Sequence, residues 1–193
     1  RARGAGQTML SYPDHYRNLY RDNRVPGGTF FFTVRLLDRG SHLLTEHISA
    51  FGEAMRLARA RRPFHVDAWA VLPDHAHAIW TLPPGDHDCS SRWRAVKIAF
   101  SKALRKTGQS GVDDGAVWER HYRHYRVGLD DDYAALVDYV HTDAVRHGHC
   151  REPREWPWSS LHRFISAGHA APEPSIIVPP WVHRPQGLAL ARL

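Results

Sequence analysis

The order of apolar and polar positions divides the first half of the chain into strands and one helix. The run 29–36 is strongly apolar and rich in aromatic and β-branched residues, which predicts a central strand. From Glu46 to about Ala60 apolar residues recur at helical spacing, with Thr45 as the expected N-cap. Two short strand-like runs, 64–71 and 75–82, then predict a β-hairpin.

The second half continues with two longer helical patterns around a short strand. Helices are predicted over 91–106 and 133–147, the latter capped by residues 130–132, and an aromatic and basic strand over 117–127. The order of elements predicts an α+β fold, an antiparallel sheet with helices on one face, of the RRM-like or ferredoxin-like kind. We expect one domain over 16–165, a flexible arm at 1–15 and an irregular, proline-rich tail at 166–193.

Composition adds a preference for an anionic partner. The net charge is +6, the pI is about 9.7, and only three of the 26 basic residues are lysines. Arginine suits bidentate phosphate contacts, although genomic base composition would explain the same bias. No apolar run approaches the roughly 20 residues of a membrane span. We therefore expect a cytoplasmic protein, associated with the nucleoid when bound to DNA, in which Cys89 and Cys150 remain reduced.

Two histidines of the hairpin form a candidate metal site. His75 and His77 are separated by one residue, and side chains at positions i and i+2 of a strand point to the same face. Both imidazoles could therefore bind one divalent metal. Because the chain contains 15 histidines, a chance pair is the alternative.

A tyrosine and an aspartate on the last helix would complete this site. Tyr139 and Asp143 are one turn apart and fall outside the apolar stripe of that helix. Two imidazoles and a carboxylate would leave metal positions open for a phosphate oxygen, and the tyrosine oxygen could then attack the phosphorus atom. The alternative is that Tyr139 is a partly exposed helical residue and Asp143 a surface charge.

Two groups of basic and aromatic residues could contact a nucleic acid. One is a row on the helix over 91–106, the other an interleaved segment of the strand over 117–127, and cations between rings suit phosphate contacts and base stacking. A solvated helix face and an edge strand are the alternatives. The candidates are Arg94, Lys97 and Arg105 on the helix, and Arg120, Tyr122, Arg123, Tyr125 and Arg126 on the strand.

Five motifs, in this order along the chain, resemble those of REP-associated tyrosine transposases, a branch of the IS200-like, single-tyrosine HUH group. The resemblance runs from about Tyr16 to Phe164. The motifs are Leu72-Pro-Asp-His-Ala-His-Ala-Ile-Trp-Thr-Leu82, Ser91-Arg-Trp93, Trp118-Glu-Arg120, Asp138-Tyr-Val-His-Thr-Asp-Ala-Val-Arg-His-Gly148 and Trp156-Pro-Trp-Ser-Ser160.

The resemblance implies a role for each residue of the candidate site. His75, His77 and Asp143 correspond to the metal ligands and Tyr139 to the nucleophile. The implied activity is cleavage of single-stranded DNA through a transient 5′-phosphotyrosine, with Mg²⁺ or Mn²⁺ as cofactor. The implied partner is a hairpin of REP-type palindromic DNA, and related enzymes act as a monomer or a homodimer.

The chain departs from the family pattern in two places. Asp143-Ala144 stands where relatives more often have an amide residue and proline, and Tyr122-Arg-His-Tyr125 replaces an aromatic pair followed by an acidic residue and histidine. These departures leave open a protein that binds hairpin DNA without cleaving it. A zinc-dependent hydrolase is a third hypothesis, because two histidines and an aspartate also suit zinc.

Overall fold

The protein is described here from a computed structural model, which covers residues 27–108, 117–127, 133–172 and the backbone of 189–192. The predicted arm at 1–15 and the predicted cap at 130–132 lie outside these residues. Within the described residues five strands form one sheet in the order β2-β3-β1-β4-β5, and every neighbouring pair is antiparallel. The strands are β1 (Thr29–Arg35), β2 (His65–Val71), β3 (His75–Thr81), β4 (His121–Val127) and β5 (Ala189–Arg192).

The helices lie between the strands along the chain, in nearly the order that the sequence periodicity predicts. The described α-helices are α1 (Leu43–Glu46), α2 (Ile48–Arg61), α3 (Cys89–Lys106), α4 (Tyr133–His141), α5 (Asp143–Arg146) and α6 (Leu161–Ser166), and a 3₁₀ turn covers Pro153–Glu155. None of them combines the length and apolar character that crossing a membrane would require. Cys89 and Cys150 are both free.

One face of the sheet holds the larger core, which we call the closed face. Alternate residues of β1 and β3, among them Phe32 and Trp80, point to this side and pack under α2 and α3. Trp93 of α3 stacks on Trp80 with ring centroids 4.2 Å apart, so Trp93 belongs to the core. Aromatic burial of this kind is the main source of stability in a sheet packed on helices.

The opposite face, which we call the cluster face, carries the other alternate residues of the same strands. Phe31 and Ile79 pack there under α4, which covers β2 and β3 with its apolar stripe of Leu136, Val137 and Val140. The α+β antiparallel fold is as predicted, with the two long helices on one face. A third helix lies on the other face because β3 is buried along both sides and each side requires a cover.

Three local features differ from the sequence expectations. Thr45 does not cap α2, since α1 and α2 meet at His47, which makes no side-chain cap. The last predicted helix is interrupted at Thr142, whose backbone N–H and hydroxyl both donate to the Asp138 carbonyl. The tail is not irregular throughout, because residues after Pro185 contain no proline and can pair through their backbone as β5.

Candidate active site

The two histidines of β3 lie side by side on the cluster face, as the strand spacing predicts. His75 is paired across the sheet with Arg35 and His77 with Thr33, both on β1. The side chains of His75 and His77 are buried, and their rings meet edge to face with centroids 5.3 Å apart. Two imidazoles so close in a buried position require either mutual hydrogen bonding, other polar partners or a cation.

Each imidazole is held by its Nδ1 atom. The Nδ1 of His75 lies 2.7 Å from a carboxylate oxygen of Asp74, and the Nδ1 of His77 lies 2.9 Å from the Thr33 hydroxyl. These bonds orient the rings and turn both Nε2 atoms inward, which is the arrangement usual for histidine ligands of metals. Burial lowers the pKa of His77 to about 4, so this ring is neutral at pH 7 and keeps a lone pair for a cation.

Asp143 brings a carboxylate to the two Nε2 atoms. Its Oδ2 lies 3.2 Å from His75 Nε2 and 3.3 Å from His77 Nε2. The helix break at Thr142 starts a new turn at Asp143, and this residue is only 1% exposed. The surface-charge alternative for Asp143 is therefore wrong. Burial alone would raise its pKa, but the neighbouring His77, His75 and Arg146 hold the pKa below the usual range.

The three residues have the chemistry of a cation site. One ligand atom from each of them lies within 4.8 Å of the others. Two imidazole nitrogens and one carboxylate oxygen form a donor set that fits a divalent metal ion. Asp74 and Thr33 already fix the orientation of the two imidazoles through their Nδ1 atoms. The residues present therefore fit the divalent metal ion that the sequence predicts.

Tyr139 of α4 stands next to this cluster within the same chain. Its ring contacts His77, with centroids 5.5 Å apart, and Phe31, with centroids 5.9 Å apart. Burial and the charge of Asp143 raise the pKa of Tyr139, whereas Arg146 acts in the opposite direction. The phenol is thus protonated at neutral pH and partly buried beside the candidate metal ligands.

Arg146 links the tyrosine and the carboxylate, and the sequence reasoning did not identify it. Its guanidinium lies 3.8 Å from the centroid of the Tyr139 ring, donates to Asp143 Oδ1 and donates to the Thr142 hydroxyl at 2.7 Å. The sequence signal for Arg146 was its helical spacing, because it lies three residues after Asp143 and seven after Tyr139 and so falls on the same side of a helix. His147 also approaches, with Nε2 3.7 Å from Asp143 Oδ1.

The predicted basic row on α3 is not one surface. Lys97 is buried, donates to the Glu119 carbonyl at 2.9 Å and lies over the Trp118 ring, so its prediction as a nucleic-acid contact is wrong. The aliphatic stem of lysine packs readily among aromatic side chains, which the helical pattern alone does not reveal. Arg94 and Arg105 are exposed, but α3 covers the closed face, on the other side of the sheet from the cluster.

The interleaved residues of β4 divide between the two faces. Tyr122 is buried in the closed-face core with its hydroxyl 3.1 Å from Ser90, so its prediction as a stacking surface for bases is wrong. Arg126, paired with Phe30, points to the same side, and Arg120 is exposed just before the strand. Arg123 and Tyr125 are paired with Thr33 and Phe31 and therefore share the cluster face. Strand alternation accounts for this division.

Comparison with known proteins identifies relatives over most of the chain. No protein-family model matches it. The chain is 40% identical over 149 residues to the REP-associated tyrosine transposase of Escherichia coli, covering 77% of this chain and 86% of that protein. It is 31% identical over 154 residues to a Haemophilus influenzae protein described by the same family name, covering 77% and 88%.

A solved structure has the same architecture. The REP-associated tyrosine transposase bound to a REP hairpin matches with a TM-score of 0.68 and 36% sequence identity. The match covers 78% of this chain and 89% of that one. The shared fold therefore includes most of the described strands and helices.

Proposed function

The chain belongs to the REP-associated tyrosine transposase family, and on that premise we propose that it cleaves and rejoins single-stranded DNA at REP-type hairpins. The observation that carries the proposal is the contact between Tyr139 and the cluster of His75, His77 and Asp143 within one chain. A nucleophile and a candidate metal site in contact are what phosphodiester cleavage through a covalent intermediate requires.

His75, His77 and Asp143 would hold the cofactor, which we propose to be Mg²⁺ or Mn²⁺. When bound there, a divalent cation would polarise the phosphate and balance the charge that develops on its oxygens. Asp74 and Thr33 hold the two rings by their Nδ1 atoms so that both Nε2 atoms face the Asp143 carboxylate. Mixed nitrogen and oxygen donors suit Mn²⁺ better than Mg²⁺, which prefers oxygen.

Tyr139 supplies the nucleophile in this proposal. Its phenolic oxygen forms a bond to phosphorus while the bond from phosphorus to the 3′ oxygen breaks, which leaves a free 3′-hydroxyl and a 5′-phosphotyrosine. Because the phenol is protonated at neutral pH, its proton must leave as the new bond forms. The Arg146 guanidinium over the ring favours the negative oxygen at that stage. Attack by a 3′-hydroxyl on the same phosphorus releases Tyr139 and rejoins the strand.

A monomer suffices for this chemistry. All four residues come from one chain, and Tyr139 lies on a helix that packs directly over β2 and β3. We therefore propose that cleavage follows first-order dependence on protein concentration. A homodimer with shared sites would instead show a second-order dependence at low concentration.

The test is covalent trapping with Mn²⁺ and a labelled hairpin that carries a single-stranded flank. The unmodified protein should form an adduct that survives denaturing electrophoresis, and Tyr139→Phe should form none while it still binds the hairpin. The matched control is Tyr122→Phe, which removes a hydroxyl buried on the closed face and should leave the adduct intact.

The same assay separates the two other hypotheses. The residues Asp143 and Ala144 motivate a protein that only binds hairpins, and such a protein would form no adduct with any divalent metal. A zinc hydrolase would release cut DNA without attached protein and would tolerate Tyr139→Phe. An adduct that persists in Tyr139→Phe would show that another residue is the nucleophile.

A further inference from the structure

Two arginines extend the cluster face beyond the candidate metal ligands. Arg35 ends β1 directly opposite His75, and Arg123 lies on β4 directly opposite Thr33, the residue that holds His77. Residues opposite or diagonal to one another on adjacent strands are within reach of long side chains. The two guanidiniums therefore continue the same surface, Arg35 one strand from β3 and Arg123 two strands from it.

Neither arginine has a partner that explains its position. Among the described residues, the side chains of Arg35 and Arg123 make no hydrogen bond and no ion pair, and the Nε atom of the partly buried Arg35 is shielded from solvent without a partner. Asp74, the nearest acidic residue to His75, is already bonded to that ring and to Arg39 at 3.0 Å. A buried N–H donor without a partner is uncommon and requires a reason.

Neighbouring arginines add positive charge around Arg35. Burial, Arg123 and Arg39 all lower the pKa of Arg35, with smaller opposing effects from Glu119 and Asp74. Burial raises the pKa of Tyr139, and Arg35 is among the charges that act against that rise, so Arg35 lies near the nucleophile as well. Because the neighbouring arginines act on Arg35 more strongly than the neighbouring acidic residues, this surface suits an anion.

We propose that Arg35 and Arg123 form a phosphate-binding subsite, in which Arg35 contacts the phosphate attacked by Tyr139 and Arg123 contacts the neighbouring phosphate. The inference rests on the proposed function and extends it, because it assigns the direction in which the single strand leaves the metal ligands, across β1 towards β4. The planar fork of arginine matches two phosphate oxygens, so the subsite would hold the strand in register as well as attract it.

The first test measures hairpin binding without chemistry, in Tyr139→Phe and in EDTA. Arg35→Ala and Arg123→Ala should each weaken binding about tenfold and reduce the slope of log affinity against log salt by about 1, as expected for one lost phosphate contact. The control is Arg94→Ala, which removes an exposed arginine on the opposite side of the sheet and should change affinity less than about twofold. Arg35→Lys keeps the positive charge and a long side chain, so it tests whether the effect of Arg35→Ala comes from misfolding. It should recover only part of the lost hairpin affinity, because lysine lacks the planar fork of arginine.

The second test identifies the phosphate. A neutral methylphosphonate linkage is placed at each position of the single-stranded flank in turn. At the phosphate next to the scissile one, the neutral linkage should lower the affinity of the Tyr139→Phe protein about tenfold. It should not lower the affinity of the Tyr139→Phe, Arg123→Ala protein any further, because the neutral linkage and the loss of Arg123 remove the same contact. Additive losses at every position would overturn the assignment of Arg123.

The third test concerns the attacked phosphate and uses the protein with Tyr139 intact. Arg35→Ala should slow adduct formation at saturating DNA at least about tenfold, whereas Arg123→Ala should mainly raise the DNA concentration needed for half-maximal rate. If both variants behave like Arg94→Ala while the hairpin is bound and the adduct forms, this inference fails and the proposed function stands. If the unmodified protein neither binds the hairpin nor forms an adduct, both fail.

Discussion

The two faces of the sheet use the same strands for opposite purposes. On the closed face Phe32 and Trp80 are completely buried against α2 and α3. On the cluster face the alternate residues of those strands include His75 and His77, equally buried but polar and held in place by hydrogen bonds. A strand whose side chains alternate can therefore supply stability on one side and a reactive group on the other.

Burying polar groups on the cluster face has an energetic cost. Burying imidazoles and a carboxylate is unfavourable unless each is paired, and the cluster face contains several such groups around Asp143. Burial of large aromatic side chains on the closed face contributes about 2 kcal/mol or more for each residue. We conclude that the closed face contributes the larger apolar core, whereas the cluster face combines a smaller apolar core with the groups that carry the chemistry.

The largest expected effect is on stability, from Trp80→Ala. Removing a fully buried indole that stacks on Trp93 and Phe64 leaves a large cavity and should lower the free energy of unfolding by about 3–5 kcal/mol. Urea unfolding followed by circular dichroism measures this loss. The comparison between the faces would be contradicted if His77→Ala, measured in EDTA, destabilised the protein as much.

His77→Ala should instead abolish most metal binding. The loss of one of three ligands should reduce the affinity for Mn²⁺ at least about 100-fold, more than the loss of a residue that only orients a ligand. Titration with Mn²⁺, followed by calorimetry or electron paramagnetic resonance, measures the affinity. His65→Ala is the control, because His65 is exposed on β2 and outside the cluster, and it should bind Mn²⁺ normally.

Much of the cluster face followed from local sequence periodicity. The two-residue spacing of His75 and His77 predicted a shared face, and the stripe of Tyr133, Leu136, Val137, Val140 and Ala144 predicted the buried side of the last helix. Both predictions depend only on the repeat of a strand or a helix, and such repeats can be read from the chain itself.

The remaining features depend on tertiary contacts that no local pattern contains. Thr33 and Arg35 join the cluster only through the register between β1 and β3, whose paired residues are at least 40 positions apart in the sequence. The break at Thr142 places Asp143 in the interior, although helical spacing alone predicted a residue outside the core face. Lys97 and Tyr122 were predicted as surface contacts and are buried, because α3 and β4 pack around Trp118 and Trp93.

A buried histidine outside the cluster makes the stability depend on pH. His141 of α4 lies with its Nε2 2.8 Å from the Ser160 hydroxyl, and burial lowers its pKa to about 3. The folded protein therefore keeps His141 neutral while the unfolded chain takes up a proton below about pH 6.5, so stability is lost as the pH falls from 6.5 towards 3. His141→Gln should be less stable at pH 7.5, and this deficit should shrink by about 2 kcal/mol at pH 5, at about 1.4 kcal/mol per pH unit.

Urea unfolding of both proteins at the two pH values measures the change. His162→Gln is the control for a histidine on a neighbouring element, because His162 is exposed and makes its bond to the Trp156 carbonyl at the surface. Its deficit should stay constant within about 0.5 kcal/mol between the two pH values. A constant deficit for His141→Gln would mean that this ring is protonated in the folded state at pH 5.

The smallest expected effect concerns a residue that orients a ligand without contacting the metal. Thr33→Val keeps the size of the side chain but removes the hydroxyl beside His77 Nδ1, and should weaken Mn²⁺ binding about tenfold. The reduction stays modest because the substitution removes one hydrogen bond to the ring and no metal ligand. Thr29→Val is the matched control on the same strand and face, since its hydroxyl bonds to Thr81 at 2.9 Å, away from the cluster. Equal Mn²⁺ affinities for the two variants would mean that the fixed orientation of His77 comes from packing against Phe31 rather than from the hydroxyl.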